Sequence, residues 1–206
     1  MIKKFVNGNY LKRLDNIIQW QERDVFQKES VSQHSFKVSI FTRVLLEDIM
    51  GVNNFNTFKL KCVTHALFHD FDEAIFLRDL SHVIKYNTYN GEDVRTVVKD
   101  YVERKFEADF SANKGEFAYN MLREGFIIVD PLVKKVVKVA DWLALLYFCR
   151  RELKLGNTDM LEIYQYCQAC VISAAEEMIV NLPDCFIKID TNEFLNNIKN
   201  IVNDGE

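Results

Sequence analysis

Residues 130–155 read DPLVKKVVKVADWLALLYFCRRELKL. Asp130 followed by Pro131 is a helix start: an acidic cap, then a proline whose fixed φ and missing N–H suit the first helical position. The helix should run on until just before Gly156. Val133, Val137, Ala140, Asp141, Ala144 and Phe148 recur at helical spacing and form one stripe. The stripe is apolar except at its centre. A carboxylate taken out of water without compensation is costly, so Asp141 must be paired, protonated or metal-bound. Lys134, Lys135 and Lys138 lie mostly off its face, although Lys138 at i−3 reaches part of the way. An Asp buried against a helix-borne Lys is therefore the structural alternative to a ligand.

Outward from this helix, the rest of the chain also reads as helical. Periodicity and caps predict helices over about 10–19, from Ser30 or Ser32 to Met50 before Gly51, over 58–70 behind Thr57, and over 92–109, 116–123, 158–181 and 191–203. The stretch 79–90 looks looser. Two prolines and seven glycines in 206 residues leave room for long helices, and β-branched runs are short, so the fold class is all-α. No repeat or Pro/Ser linker divides the chain, and one domain over 1–206 is expected.

Composition excludes several classes. A net charge of −4 argues against a broad basic surface and hence against an extended grip on nucleic acid. The five cysteines are an odd number without disulfide-framework spacing, which suits a reducing compartment. There is no apolar leader at the N-terminus and no run long enough for a membrane span, so a cytoplasmic protein without membrane contact is expected.

Three further polar side chains lie where an apolar helix face should hold none. His34 shares a stripe with Val38, Phe41 and Leu45. His69 and Asp70 are adjacent near a helix end. Singly, each histidine reads as a core residue with a hydrogen-bond partner. Jointly, two imidazoles and two carboxylates converging from three helices would offer mixed N/O ligands to one divalent transition metal, with positions left for water and substrate.

With these residues in place the sequence resembles the HD-domain superfamily, and within it the 5′-deoxynucleotidases of the YfbR type. The match is carried by the segments from Glu29 to Ser35, Ala66 to Glu73, Asp79 to Tyr86 and Lys138 to Asp141, and by Trp20 ahead of His34. It covers about 15–155; the helices over 158–203 carry no motif. The resemblance implies an HD-type helical bundle in which His34, His69, Asp70 and Asp141 bind the metal and Glu73 is catalytic. Asp79 would stand near the sugar. Trp20 would pack by the ribose and crowd a 2′-hydroxyl. Asp72 could be mistaken for the acid, but the family spacing selects Glu73.

The sequence departs from the family in three ways. Gln19 replaces an arginine associated with phosphate; Arg13, Arg23 or Lys85 could supply the missing charge, and Lys85 is taken as the phosphate-stabilising candidate. The interval from Glu73 to Asp79 is one residue longer, and Ser81-His82-Val83 stands where the family has Pro-Thr-Pro.

Other tempting groups read as structural. His65 sits at i−4 from His69 but lacks the adjacent Glu of a zincin, and His82 reads as a loop residue. Cys167 and Cys170 form a lone C-x-x-C that suits helix packing. Arg150, Arg151 and Lys154 read as a solvated helix end favoured by the macrodipole.

The implied reaction is metal-assisted hydrolysis of a deoxynucleoside 5′-monophosphate, with Glu73 orienting water or protonating the leaving 5′-oxygen. Co, Mn, Fe, Ni or Zn could serve, the partner is a small nucleotide, and a homodimer is implied. The rivals are a deoxynucleoside triphosphohydrolase, a non-catalytic HD module that binds nucleotide or protein and, more distantly, a cyclic-nucleotide phosphodiesterase.

Overall fold

The computed structural model describes residues 9–51, 56–79, 88–89, 92–113, 117–127, 129–181 and 190–203. The described elements are α1 (Tyr10–Asn16), α2 (Val31–Val44) continued by a π-helical turn (Leu45–Ile49), α3 (Asn56–Phe68), α4 (Phe71–Phe76), α5 (Val94–Phe110), α6 (Phe117–Phe126), α7 (Pro131–Lys154), α8 (Leu161–Val180) and α9 (Thr191–Asn203). Short 3₁₀ turns lie at Ser111–Asn113 and Thr158–Met160. The fold is all-α, its lone described sheet being a two-residue antiparallel pair, Thr88–Tyr89 with Glu92–Asp93.

Caps fix where the long helices begin. Ser30, not Ser32, caps α2: its hydroxyl accepts from Gln33 N while Gln33 Oε1 accepts from Ser30 N, a reciprocal capping box. Asp130 Oδ1 accepts from Leu132 N at 2.8 Å and Val133 N at 3.4 Å, with Pro131 at the first helical position. Asp190 caps α9, which spans the expected 191–203. Gly51 and Gly156, at φ +62° and +94°, stand where the chain leaves the helical path that L side chains favour.

Several expected boundaries shift. α1 ends at Asn16 rather than 19, because residues 17–19 turn extended and pair with 29–31: Gln19 N donates to Glu29 O, and Val31 N to Ile17 O. α3 begins before Thr57 and ends at Phe68, so the His69-Asp70 doublet forms the turn into the unforeseen short helix α4. Glu92 and Asp93 precede α5 as strand, and α6 extends past 123 to Phe126.

α7 is the axis of the bundle. It packs against α8, α2 and α3, while α6 covers α3 and α9 covers α8. Where α2, α3 and α7 meet, the buried contact is made of Val38, Ala66, Val137, Ala140 and Ala144. These side chains are small, so the three backbones approach closely and polar groups one turn away converge. Larger residues fill either flank: Leu45, Leu46, Leu146, Phe148 and Phe194 on one side, Tyr10, Phe71, Phe106 and Phe110 on the other.

Candidate metal centre

His34 comes from the first turn of α2, His69 and Asp70 from the α3–α4 turn, and Asp141 from the middle of α7. Ligand atoms of His34, His69 and Asp70 all lie within 4.8 Å of one another. Asp141 Oδ1 stands 3.1 Å from His34 Nε2 and 3.8 Å from His69 Nε2. His69 Nε2 is 3.0 Å from Asp70 Oδ2. The expected quartet is thus brought together, with both Nε2 atoms facing carboxylate oxygens.

The donor chemistry fits a metal ion. Ala66 O can only accept, so its 2.8 Å contact with His69 Nδ1 puts the ring hydrogen on Nδ1 and leaves the Nε2 lone pair facing the cluster. That Nε2 is buried and not aligned for a hydrogen bond, although Asp70 Oδ2 lies 3.0 Å away. A lone pair set against carboxylate oxygens repels them unless a cation or a proton lies between. Without metal, protons do this work. Burial opposes charge on His34, but the hydrogen bond to Asp141 and the nearby carboxylates of Glu29 and Asp70 outweigh it and raise its pKa to about 10. His69 shifts upward as well: the Asp70 and Asp141 charges outweigh its burial. Asp141 moves the other way, burial being overcome by Lys138 and the two imidazoles, which hold the carboxyl ionised.

Glu29 and Lys138 complete the arrangement. Glu29 is buried, its Oε1 lies 3.7 Å from His34 Nδ1, and its other oxygen is ion-paired with Lys37. It faces the edge of the imidazole opposite the cluster, where a carboxylate orients a ligating histidine. Sequence reading gave Glu29 no role; the available signal was a carboxylate immediately before the Ser30 cap. Lys138 Nζ reaches Asp141 Oδ2 at 2.9 Å and lies 4.5 Å over the Trp142 ring. The i−3 contact of the structural alternative is therefore present, but it engages only one of the two oxygens of Asp141.

Glu73 lies in the first turn of α4 and is 2% exposed, which excludes a solvated helix-end charge. Asp72 is more exposed, and its Oδ1 accepts from Glu73 N. Asp79 and Trp20 are in direct contact: Asp79 Oδ2 accepts from Trp20 N at 3.0 Å. The Trp20 ring stacks on Phe148 of α7 at 5.7 Å. Gln19 is buried. Of the substitutes for the family arginine, Arg13 donates to Ala74 O beside Glu73, Arg23 is exposed, and Lys85 lies outside the described residues with Ser81, His82 and Val83.

The structural readings of the remaining groups divide. His65 is a packing histidine: Nδ1 meets Gly125 O at 2.7 Å, and burial lowers its pKa to about 4. Cys167 is buried in α8, and the described cysteines are all free thiols. Of the expected solvated helix end, Lys154 is exposed, while Arg150 and Arg151 are engaged by other elements. Arg150 donates to the carbonyls of Ile201 and Val202 and to Tyr164, tying α7 to the end of α9. Arg151 donates to Gln27. The neighbouring Glu152 is fully buried and accepts from Phe26 N, Gln27 N and Asn157 Nδ2, so it pins the loop that carries Trp20.

The chain is similar to the 4′-phosphooxetanocin A phosphatase of Priestia megaterium, 24% identical over 153 residues, 73% of this chain and 75% of the relative. Its fold resembles a crystal structure of an HD-domain phosphohydrolase from Listeria innocua, with TM-score 0.60 and 20% identity over 95% of this chain and 97% of that one. A protein of Pyrococcus horikoshii OT3 superposes with TM-score 0.64 and 22% identity over the whole of both chains. The family model described as 5′-deoxynucleotidase YfbR-like matches residues 5–193, nearly the full length, and the chain belongs to that family.

Proposed function

We propose that this single HD-type domain is a metal-dependent 5′-nucleotidase that hydrolyses deoxynucleoside 5′-monophosphates to deoxynucleoside and phosphate. The observation that carries the reading is the buried His69 Nε2, not aligned for a hydrogen bond, facing Asp70 and Asp141 beside His34 in a chain of this family. His34, His69, Asp70 and Asp141 would hold one divalent transition metal, and Co, Mn, Fe, Ni or Zn all suit a two-imidazole, two-carboxylate set. A cation bound there supplies an activated water and draws charge from the phosphoryl oxygens.

The chain's own groups do the rest. Water oxygen bonds to phosphorus, the bond from phosphorus to the 5′-oxygen breaks, and the leaving oxygen takes a proton. Glu73 orients the water or delivers that proton. Its carboxyl is buried away from bulk solvent. Trp20, positioned by Asp79 and Phe148, would pack on the sugar, with Asp79 and Gln19 beside it, and Lys85 would add charge at the phosphate. The substrate is a free nucleotide rather than nucleic acid, and a cytoplasmic homodimer is the assembly in keeping with the family. No described helix is long and apolar enough to cross a membrane.

A deoxynucleoside triphosphohydrolase is the second reading, kept because Gln19 replaces the phosphate-associated arginine. The test is phosphate release from ribo- and deoxynucleoside mono- and triphosphates with Co²⁺ or Mn²⁺, with Glu73→Ala as control. Orthophosphate from deoxy-monophosphates, lost in the variant, supports the proposal. Released triphosphate would replace it with the rival, and nucleotide binding without turnover would leave a binding module.

A further inference from the structure

A cavity of about 520 Å³ opens beside the first turns of α2, between that helix, the loop before it and α7. Its volume is in the range of small-molecule sites. Lys28, Lys37 and Arg151 line it, with Glu29 as the opposing carboxylate. Three cations against one acid make it a positive hollow in a chain of net charge −4. Lys37 and Arg151 each stand 5.7 Å from the centroid of the Tyr147 ring. Lys37 already pairs with Glu29, so Lys28 and Arg151 carry the surplus positive charge of the cavity, which an anion would offset. Gln27 and Gln33 add amide groups, and Phe36, 61% exposed, forms an apolar wall with Phe148.

This cavity is distinct from the metal cluster. Among its lining residues are none of His34, His69, Asp70, Asp141 or Trp20. It lies toward Glu29, on the Nδ1 edge of His34, whereas Asp141 faces the Nε2 edge. Guanidinium and ammonium groups are donors that recognise phosphoryl oxygens, and the exposed Phe36 ring offers a surface to a planar group.

We propose that the cavity is a second anion site that takes a phosphorylated small molecule of nucleotide size and binds it without metal. The probe is ADP, titrated calorimetrically into the full chain in excess chelator, with inorganic phosphate as competitor. One ADP site per chain is expected. Reversing two charges (Lys28→Glu with Arg151→Glu) should weaken it about tenfold or more while leaving metal binding at the cluster unchanged. Arg151→Gln, a milder change that spares the fold should the double variant aggregate, should give a smaller loss. Phosphate should displace ADP while binding more weakly. Absence of ADP binding under chelation, wild-type affinity in the variants, or failure of phosphate to compete would each overturn the proposal.

Discussion

His34 Nε2 stands 3.1 Å from Asp141 Oδ1, although 107 residues separate them in the chain. The contact exists because α2 and α7 cross over Val38, Val137, Ala140 and Ala144, side chains small enough to let the helices approach. Asp141→Asn keeps the shape and removes the charge. Metal affinity at the cluster should fall by about a hundredfold or more, measured by calorimetric titration with Mn²⁺. Retention of wild-type affinity would remove Asp141 from the ligand set.

Glu29 tests the orientation of His34. Glu29→Gln leaves the cluster's own atoms in place but weakens the hold on Nδ1 and the pair with Lys37. Metal affinity should fall by about ten- to a hundredfold, less than for loss of a ligand. Thermal unfolding with and without metal reads the same quantity. At about a hundred times its Kd, a ligand that binds only the folded state adds about 2.7 kcal/mol, so the variant should show a smaller metal-induced rise in Tm at equal metal.

How much of this was legible in the sequence follows from the reach of each signal. Caps and periodicity act over a few residues, and they correctly predicted the start of α7 at Asp130-Pro131 and the turn at Gly51. They overran α1, because residues 17–19 follow a long-range pairing with 29–31 that no local pattern encodes. Asp141 was conspicuous because a carboxylate interrupted an apolar stripe. Glu29 and Glu152 were not, because each lies among polar neighbours and its burial depends on distant elements. Trp20 and Asp79 were found only through family resemblance, and their contact with each other was not foreseen.

Gly125 sets how closely α6 approaches α3. A Cβ at this position would meet Thr64 Cγ2 at 2.7 Å, too close for any real contact. Gly125→Ala should destabilise the protein by about 1–3 kcal/mol, measured by urea unfolding. Thr64→Ser removes the opposing methyl, so the double variant should recover much of that loss. Additive costs would show that the methyl is not the obstacle.

His65 is expected to shape the acid limb of stability. Burial, the largest cause, holds its folded pKa at about 4, below the ordinary 6.5. The unfolded chain therefore binds a proton in a window where the folded chain does not. This contribution is fully present above about pH 6.5 and is lost as pH falls towards 4, at most about 3 kcal/mol for a shift of this size. In metal-free protein, the Tm of His65→Asn should fall less steeply than that of wild type between these limits. Parallel curves would show that His65 does not titrate in this way.

Trp20 has its backbone at φ +63°, a left-handed conformation that costs a bulky residue about 1–3 kcal/mol. Two contacts hold it there: Asp79 accepts from its N–H at 3.0 Å, and its ring lies within 6° of parallel to Phe148. If ring placement sets the deoxy preference, three variants should act alike. Trp20→Ala removes the ring, Asp79→Ala releases its backbone, and Phe148→Ala withdraws its support. Each should lower the ratio of kcat/KM for deoxy- over ribonucleoside monophosphate, by about tenfold if the placement is worth about 1.4 kcal/mol. Phe148→Ala is the discriminating case, because it reaches the ribose only through Trp20. Loss of selectivity there, with kcat on the deoxy substrate largely kept, assigns the preference to the position of the indole. A wild-type ratio in Phe148→Ala together with a collapsed ratio in Asp79→Ala would instead mean that Asp79 contacts the sugar itself.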